Sequence, residues 1–160
     1  MPDRLIIRAE SPDQPEVRAL LADLDGYLAS LYPPEANHIV DVPGLLAPGV
    51  TFYVARDGGH AVGTGGVRRM LGAPETDGQP FGEIKRMYVD PAFRGREIGM
   101  KLLDVIESQL RSEGIRLALL ETGAHQTQAV RLYQRCGYTP LGAFGGYPDN
   151  GLSVFFAKAI

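Results

Sequence analysis

The stretch AFRGREIGMKLL (92–103) sets Arg94, Gly95, Arg96 and Gly99 just ahead of an apolar run at helical spacing. The first turn of a helix carries N–H groups without intrahelical partners, and the aligned peptide dipoles add about half a positive charge there. Gly95 and Gly99 keep side chains off that turn, while Arg94 and Arg96 add charge. The stretch therefore reads as a cradle for an oxygen-rich anion such as a pyrophosphate. A nucleoside-triphosphate loop, G-x-x-x-x-G-K-[ST], does not occur in the chain. GTGGVR (63–68) lacks the third glycine of a dinucleotide fingerprint and lies inside a hairpin-like region. His125 reads as a solvated loop residue, His38 and His60 are too scattered to suggest a metal, and no metal is expected. Cys136 stands alone, which excludes an internal disulfide or a multi-cysteine zinc site; it reads as a small buried apolar residue.

The cradle needs a strand before it and a helix behind it. FGEIKRMYVDP reads as that strand, closed by Pro91, and EIGMKLLDVIESQLRSEG as an amphipathic helix ended by Gly114. Ahead of them RLIIRAE reads as a strand. A helix follows, with Ser11 or Asp13 as cap, Pro15 in its first turn, and Val17, Leu20, Leu21, Leu24, Leu28 and Leu31 on one face. PPEANHIVDVPGLLAPG is irregular, with room for a short helical turn. TFYVARDGGHAVGTGGVRRM gives two strands joined at a turn by Asp57 and Gly58, and LGAPETDGQP an exposed loop. IRLALLET is a buried strand, TQAVRLYQRCG a short helix stopped by Gly137, and YTPLGAF and LSVFFAKAI two closing strands. The order implies a mixed α/β fold on one sheet, in one domain over 1–160.

The net charge of −3 argues against a nucleic-acid binder, and no run of apolar residues approaches membrane-span length. The N-terminal MPDRLIIRAE has no long apolar segment, so no signal peptide is expected; with the single cysteine this points to the cytoplasm.

Three stretches in order, EIKRMYVDPAFRGREIGMKLLDVIE, LALLETG and QAVRLYQRCGY, resemble the GNAT superfamily of acyl-CoA-dependent N-acyltransferases. The resemblance runs from Phe81 to Tyr138 and extends over the chain; the tail FGGYPDNGLSVFFAKAI is similar to a bacterial subgroup of small members. It implies a twisted, mostly antiparallel sheet of about seven strands flanked by about four helices. It also implies acetyl-CoA as cosubstrate and acetyl transfer to a small-molecule or peptide amine by direct attack, with a homodimer allowed. Backbone groups of Met87, Tyr88 and Val89 would hold the pantetheine arm, and residues Arg94, Gly95, Arg96, Glu97, Ile98, Gly99 and Met100 the diphosphate. Gln126 stands where many members have asparagine and would reach the arm. Glu83 is the expected base, its pKa raised beside Phe81 and Ile84, with Asp90 and Glu121 as competing carboxylates. Tyr133 is the expected acid for the leaving thiolate. Acceptor contacts are expected from residues 27–48 and the FGGYPDN loop, with Tyr27, Tyr32, Tyr147, Glu35 and Asp41 as lining.

Glu97 departs from the family glycine. Facing outward, four residues before Lys101, it would form a helix-surface pair and cost some coenzyme affinity. A non-catalytic acyl-CoA sensor needs the same cradle but neither Glu83 nor Tyr133, and a purely structural domain would tolerate Glu97.

Overall fold

The structure, a computed structural model, describes residues 4–36, 39–145, 147–148 and 151–160. The order is β1 (Leu5–Ala9), α1 (Pro15–Leu31), α2 (Val42–Leu45), β2 (Val50–Asp57), β3 (His60–Met70), β4 (Phe81–Val89), α3 (Ile98–Ser112), β5 (Leu117–Gly123), α4 (Thr127–Arg135), β6 (Thr139–Leu141) and β7 (Ser153–Ala159). The seven strands form one sheet in the order β1-β2-β3-β4-β5-β7-β6. β1–β2, β5–β7 and β6–β7 pair antiparallel; β4–β5 is parallel. Two compact units divide the chain, Met1–Gly66 with Arg86–Val105, and Val67–Lys85 with Ile106–Ile160.

In the first unit α1 starts with Pro15, whose missing N–H costs nothing at that position. The cap is Gln14, in extended conformation with no side-chain bond, and not Ser11 or Asp13. Ser11 instead accepts from the Asp13 N–H and, through its carbonyl, from the Gln14 amide. Val17, Leu20, Leu21 and Leu24 form the buried stripe of α1. Tyr32 is extended ahead of Pro33, which ends the helix. Val17 and Leu21 pack with Leu45 of α2 and with Phe52 and Val54 of β2. Asp41 caps α2 by accepting from the Gly44 N–H at 2.9 Å. The β2–β3 turn consists of Gly58 and Gly59, with φ 58° and 92°, one residue later than the Asp57–Gly58 expectation. Two successive positive φ values are what a two-residue hairpin turn requires, and consecutive glycines supply them without strain.

In the second unit Phe81, Leu119, Phe144 and Phe155 make the core, with Phe81–Phe144 and Phe144–Phe155 ring pairs edge-on at 5.9 and 5.6 Å. Gly82 lies under Leu110 of α3: a Cβ there would stand 2.5 Å from the leucine Cδ1. Gly114, at φ 79°, ends α3 while the Ile115 N–H returns to the Leu110 carbonyl at 2.9 Å. The expected loop 71–80 holds a short 3-10 turn, Pro74–Thr76, with Thr76 buried and its hydroxyl within hydrogen-bond distance of both the Ala73 and Gln79 carbonyls. β6 is shorter than YTPLGAF, since only Thr139–Leu141 pairs with β7. No helix among the described residues is long and apolar enough to cross a membrane.

Candidate functional site

In the first unit β4 leads into the mouth of α3. The parallel ladder with β5 covers Gly82, Glu83 and Ile84, so Met87, Tyr88 and Val89 stand beyond it. Just before them Arg86 takes φ 60°, a left-handed residue in mid-strand, and its carbonyl accepts from Thr64 Oγ1 at 2.8 Å. Its side chain is 5 % exposed, with Nη1 on Asp25 at 2.6 Å. After Val89, Asp90 accepts from the Ala92 N–H at 2.9 Å and caps a 3-10 turn, Pro91–Phe93. The first bond of α3 described runs from the Lys101 N–H to the Glu97 carbonyl at 3.0 Å. The N–H groups of Ile98, Gly99 and Met100 therefore precede the ladder. Gly95, at φ 86°, has nothing within 4 Å of where a Cβ would be.

Gly95 thus leaves its side of the mouth unobstructed, while Ile98 and Gly99 are buried and Met100 is half-buried; N–H groups ahead of a helix ladder are what an anion cradle requires. Both arginines are engaged around it. Arg94 Nε donates to the Val89 carbonyl at 3.3 Å and its guanidinium lies 5.9 Å from the Tyr88 ring centroid. Arg96 pairs with Asp57 at 3.1 Å and lies over Phe93 at 5.6 Å. Glu97 is exposed and holds φ 60°. That is the conformation a glycine adopts freely, which explains in physical terms why the family pattern has glycine at this position.

In the second unit Glu83 is 1 % exposed at the centre of a charged cluster. Arg68 of β3 donates to its Oε1 through Nε at 3.1 Å and Nη2 at 2.5 Å. The Tyr147 hydroxyl donates to Oε2 at 2.6 Å, and Lys85 Nζ lies 3.5 Å from the same oxygen while also donating to Tyr147. Burial pushes the Glu83 carboxyl up, but the Lys85 charge, the Tyr147 hydrogen bond and Arg68 together outweigh it. Its pKa is lowered, not raised as Phe81 and Ile84 alone imply. Lys85 is 9 % exposed and its pKa is lowered, chiefly by burial.

Tyr133, 6 % exposed on α4, packs its ring against Tyr138 at 5.9 Å and Phe156 at 6.2 Å. Burial and the Glu121 charge push its pKa up, so the phenol is a weaker acid than free tyrosine. Gln126 occupies the N-cap position of α4, its N–H bonded to the Gly123 carbonyl at 3.0 Å and its side chain making no cap bond. Glu121 accepts from Ser153 Oγ at 2.7 Å. His125 is exposed, and His38 lies outside the described residues. Cys136 is half-buried at the C-cap of α4, where the expected full burial fails because α4 ends there and turns into Gly137. Of the expected acceptor lining, Tyr32 is buried, Tyr27 is 44 % exposed, Glu35 and Asp41 are exposed, and Tyr147 joins Glu83. Sequence reading missed Arg68, Lys85 and Arg86. The available signal was charge inside an otherwise buried strand, with Glu83 and Lys85 two apart on one face of β4.

Comparison with known proteins bears on these features together. The sequence pattern of the Acetyltransferase (GNAT) family matches residues 15–138. An IAA acetyltransferase of Azospirillum brasilense is 42 % identical over 160 residues, covering all of both chains. A crystal structure assigned as an acyl-CoA N-acyltransferase of Klebsiella pneumoniae is 34 % identical, with a TM-score of 0.76 over 97 % of each chain. Arabidopsis thaliana NAA60 in complex with acetyl-CoA shares the fold, with a TM-score of 0.70 over 98 % of each chain at 18 % identity.

Proposed function

Because the chain belongs to the GNAT acetyltransferase family, we propose that it moves an acetyl group from acetyl-CoA to a primary amine of a small molecule or peptide, by direct attack in a ternary complex. The observation that carries this reading is the α3 mouth, where the N–H groups of Ile98, Gly99 and Met100 stand ahead of the helix ladder and Gly95 leaves space beside them. Acetyl-CoA supplies its acyl group as a thioester, already activated toward amines. The acetyl-CoA held by NAA60 and the activity named for the Azospirillum relative favour the same donor here.

In this reading residues 94–100 grip the diphosphate, backbone groups of Met87, Tyr88 and Val89 hold the pantetheine arm, and Gln126 contributes an amide to it. Glu83 assists proton loss from the attacking amine. Its lowered pKa makes it a transient acceptor and not a resting store of the proton. Tyr133 protonates the leaving thiolate. With the phenol pushed above its ordinary pKa of 10.0, that transfer is uphill, so the step assists the reaction without being indispensable. The protein would act in the cytoplasm as one acetyltransferase domain, alone or as a homodimer.

The test is to follow free thiol while offering acetyl-CoA with amines, polyamines, amino acids and peptide N-termini. Thiol release with one amine class is expected. Tyr133→Phe should lower kcat on the order of 10²-fold, and an unchanged kcat would remove Tyr133 from the mechanism. Tight coenzyme binding without turnover on any amine would favour the sensor reading.

A further inference from the structure

The cluster around Glu83 holds more hydrogen-bond donors than its own acceptors can use. A carboxylate offers about four lone-pair sites. Arg68 Nε and Nη2 fill those of Oε1, and the Tyr147 hydroxyl takes one of Oε2, with Lys85 Nζ 3.5 Å from that oxygen. Glu83 thus keeps a site on Oε2, while an arginine and a lysine bring further N–H groups beyond those used here. A second carboxylate, Glu121, acts on Lys85 and Tyr147 through space, but its Oε2 accepts from Ser153 at 2.7 Å.

The surplus is placed where a ligand can reach it. Glu83 and Lys85 side chains are 2 % and 8 % exposed, whereas the Arg68 side chain keeps 40 %. Arg68 spends its Nε–Nη2 edge on a single oxygen, which anchors the guanidinium plane. The Arg68 charge also disfavours that of Lys85 across Glu83. A species that meets a fixed guanidinium, supplies acceptors and relieves that repulsion is an oxyanion such as a carboxylate.

We propose that the acyl acceptor is an amino carboxylate, with amine and carboxylate on one small molecule, and that Arg68, backed by Lys85, binds its carboxylate. This rests on the acetyl-transfer reading and narrows its acceptor. Glu83 and Tyr147 then serve as positioning residues for Arg68, in addition to the part proposed for Glu83 in proton loss. An amine that lacks the carboxylate leaves the surplus donors unmet.

The experiment uses the full chain, saturating acetyl-CoA and thiol release, with amino acids, the corresponding amino-acid amides, and amines without a carboxyl group. The amides match the acids in shape and lack the charge. Amino acids should exceed their amides in kcat/KM by roughly 10- to 100-fold, as a charge-assisted pair implies. Arg68→Gln should lower kcat/KM for the acids by roughly 10-fold or more beyond whatever loss it causes for the amides through Glu83, so that the acid-to-amide ratio falls toward one. Arg68→Lys should restore part of the acid preference. A merely structural Arg68 would instead weaken acids and amides alike. Should Arg68→Gln fail to fold, the acid-to-amide ratio of the unaltered protein decides. Amides used as well as acids would overturn the inference. Turnover confined to amines without a carboxyl group would overturn it while keeping acetyl transfer; no thiol release with any amine would overturn both.

Discussion

Glu97 holds φ 60°, where the Cβ of an L residue crowds the following carbonyl oxygen. That conformation costs roughly 1–2 kcal/mol, and glycine gives back about 0.5–1 kcal/mol of it through its larger unfolded entropy. Glu97→Gly should therefore raise stability by about 0.5–1 kcal/mol in urea titration, and should tighten acetyl-CoA binding by removing a carboxylate beside an anion cradle. Unchanged or lower stability would show that contacts of the Glu97 side chain offset the strain, and equal or weaker coenzyme binding would reject the affinity cost. The departure from glycine at this position was legible in the sequence. The left-handed backbone behind it was not, because φ at a single residue is imposed by how β4 is brought round into α3. Arg86 teaches the same lesson. Nothing in EIKRMYV announces a left-handed residue, yet Arg86 is one and buries its guanidinium against Asp25, sixty-one positions away. Arg68 and Lys85 escaped notice for a related reason: their partner Tyr147 is remote in sequence, and only the folded chain brings the three together.

At the scale of elements, α3 approaches β4 closely at Gly82, where a methyl group would meet Leu110 Cδ1 at 2.5 Å, Cδ2 at 2.7 Å and Val67 Cγ2 at 3.0 Å. Leu110 and Val67 are fully buried and have nowhere open to swing. Gly82→Ala should cost about 1–3 kcal/mol, the usual penalty of overpacking. A shift in the urea midpoint at constant slope would register it, and a neutral result would mean that Leu110 changes rotamer at no cost. Elements with strong periodicity were the most legible. The apolar positions of α1 and α3 recur at helical spacing, and Gly114 marked the end of α3 correctly. Boundaries set by backbone geometry were less so. The Asp57–Gly58 turn and the Ser11 or Asp13 cap each fell a residue or more from the observed position, since neighbouring residues of similar turn chemistry compete and tertiary contacts choose between them.

For the whole molecule, the acidic side of the stability curve follows from its paired carboxylates. A hydrogen bond from Arg69 is the main reason Glu113 falls from its ordinary 4.5 to about 2. Glu10 is lowered chiefly by its hydrogen bond from Arg56, and Glu83 is lowered despite burial. A carboxylate more acidic in the folded than in the unfolded chain stabilises fully above its unfolded value, and that contribution fades as pH falls through the folded value. Stability should hold from neutrality to about pH 5 and then decline toward pH 2. Arg69→Met should lose at most about 1 kcal/mol at pH 7, and its difference from the unaltered protein should vanish near pH 2. A difference that persists unchanged into acid would show that Arg69 stabilises by packing and not by charge. The order of strands and helices along the chain was readable from local pattern, but the lateral order β5-β7-β6 was not, because no local signal says which strand lies beside which. The half-buried Cys136 carries a practical corollary. As the single sulfhydryl in the chain, it adds at most one equivalent of colour to any chromogenic thiol reagent, a fixed offset that separates labelling of the protein from catalytic release. Under air oxidation the same atom permits covalent pairs and nothing larger, so a ladder of disulfide-linked species on a non-reducing gel would have to come from another protein.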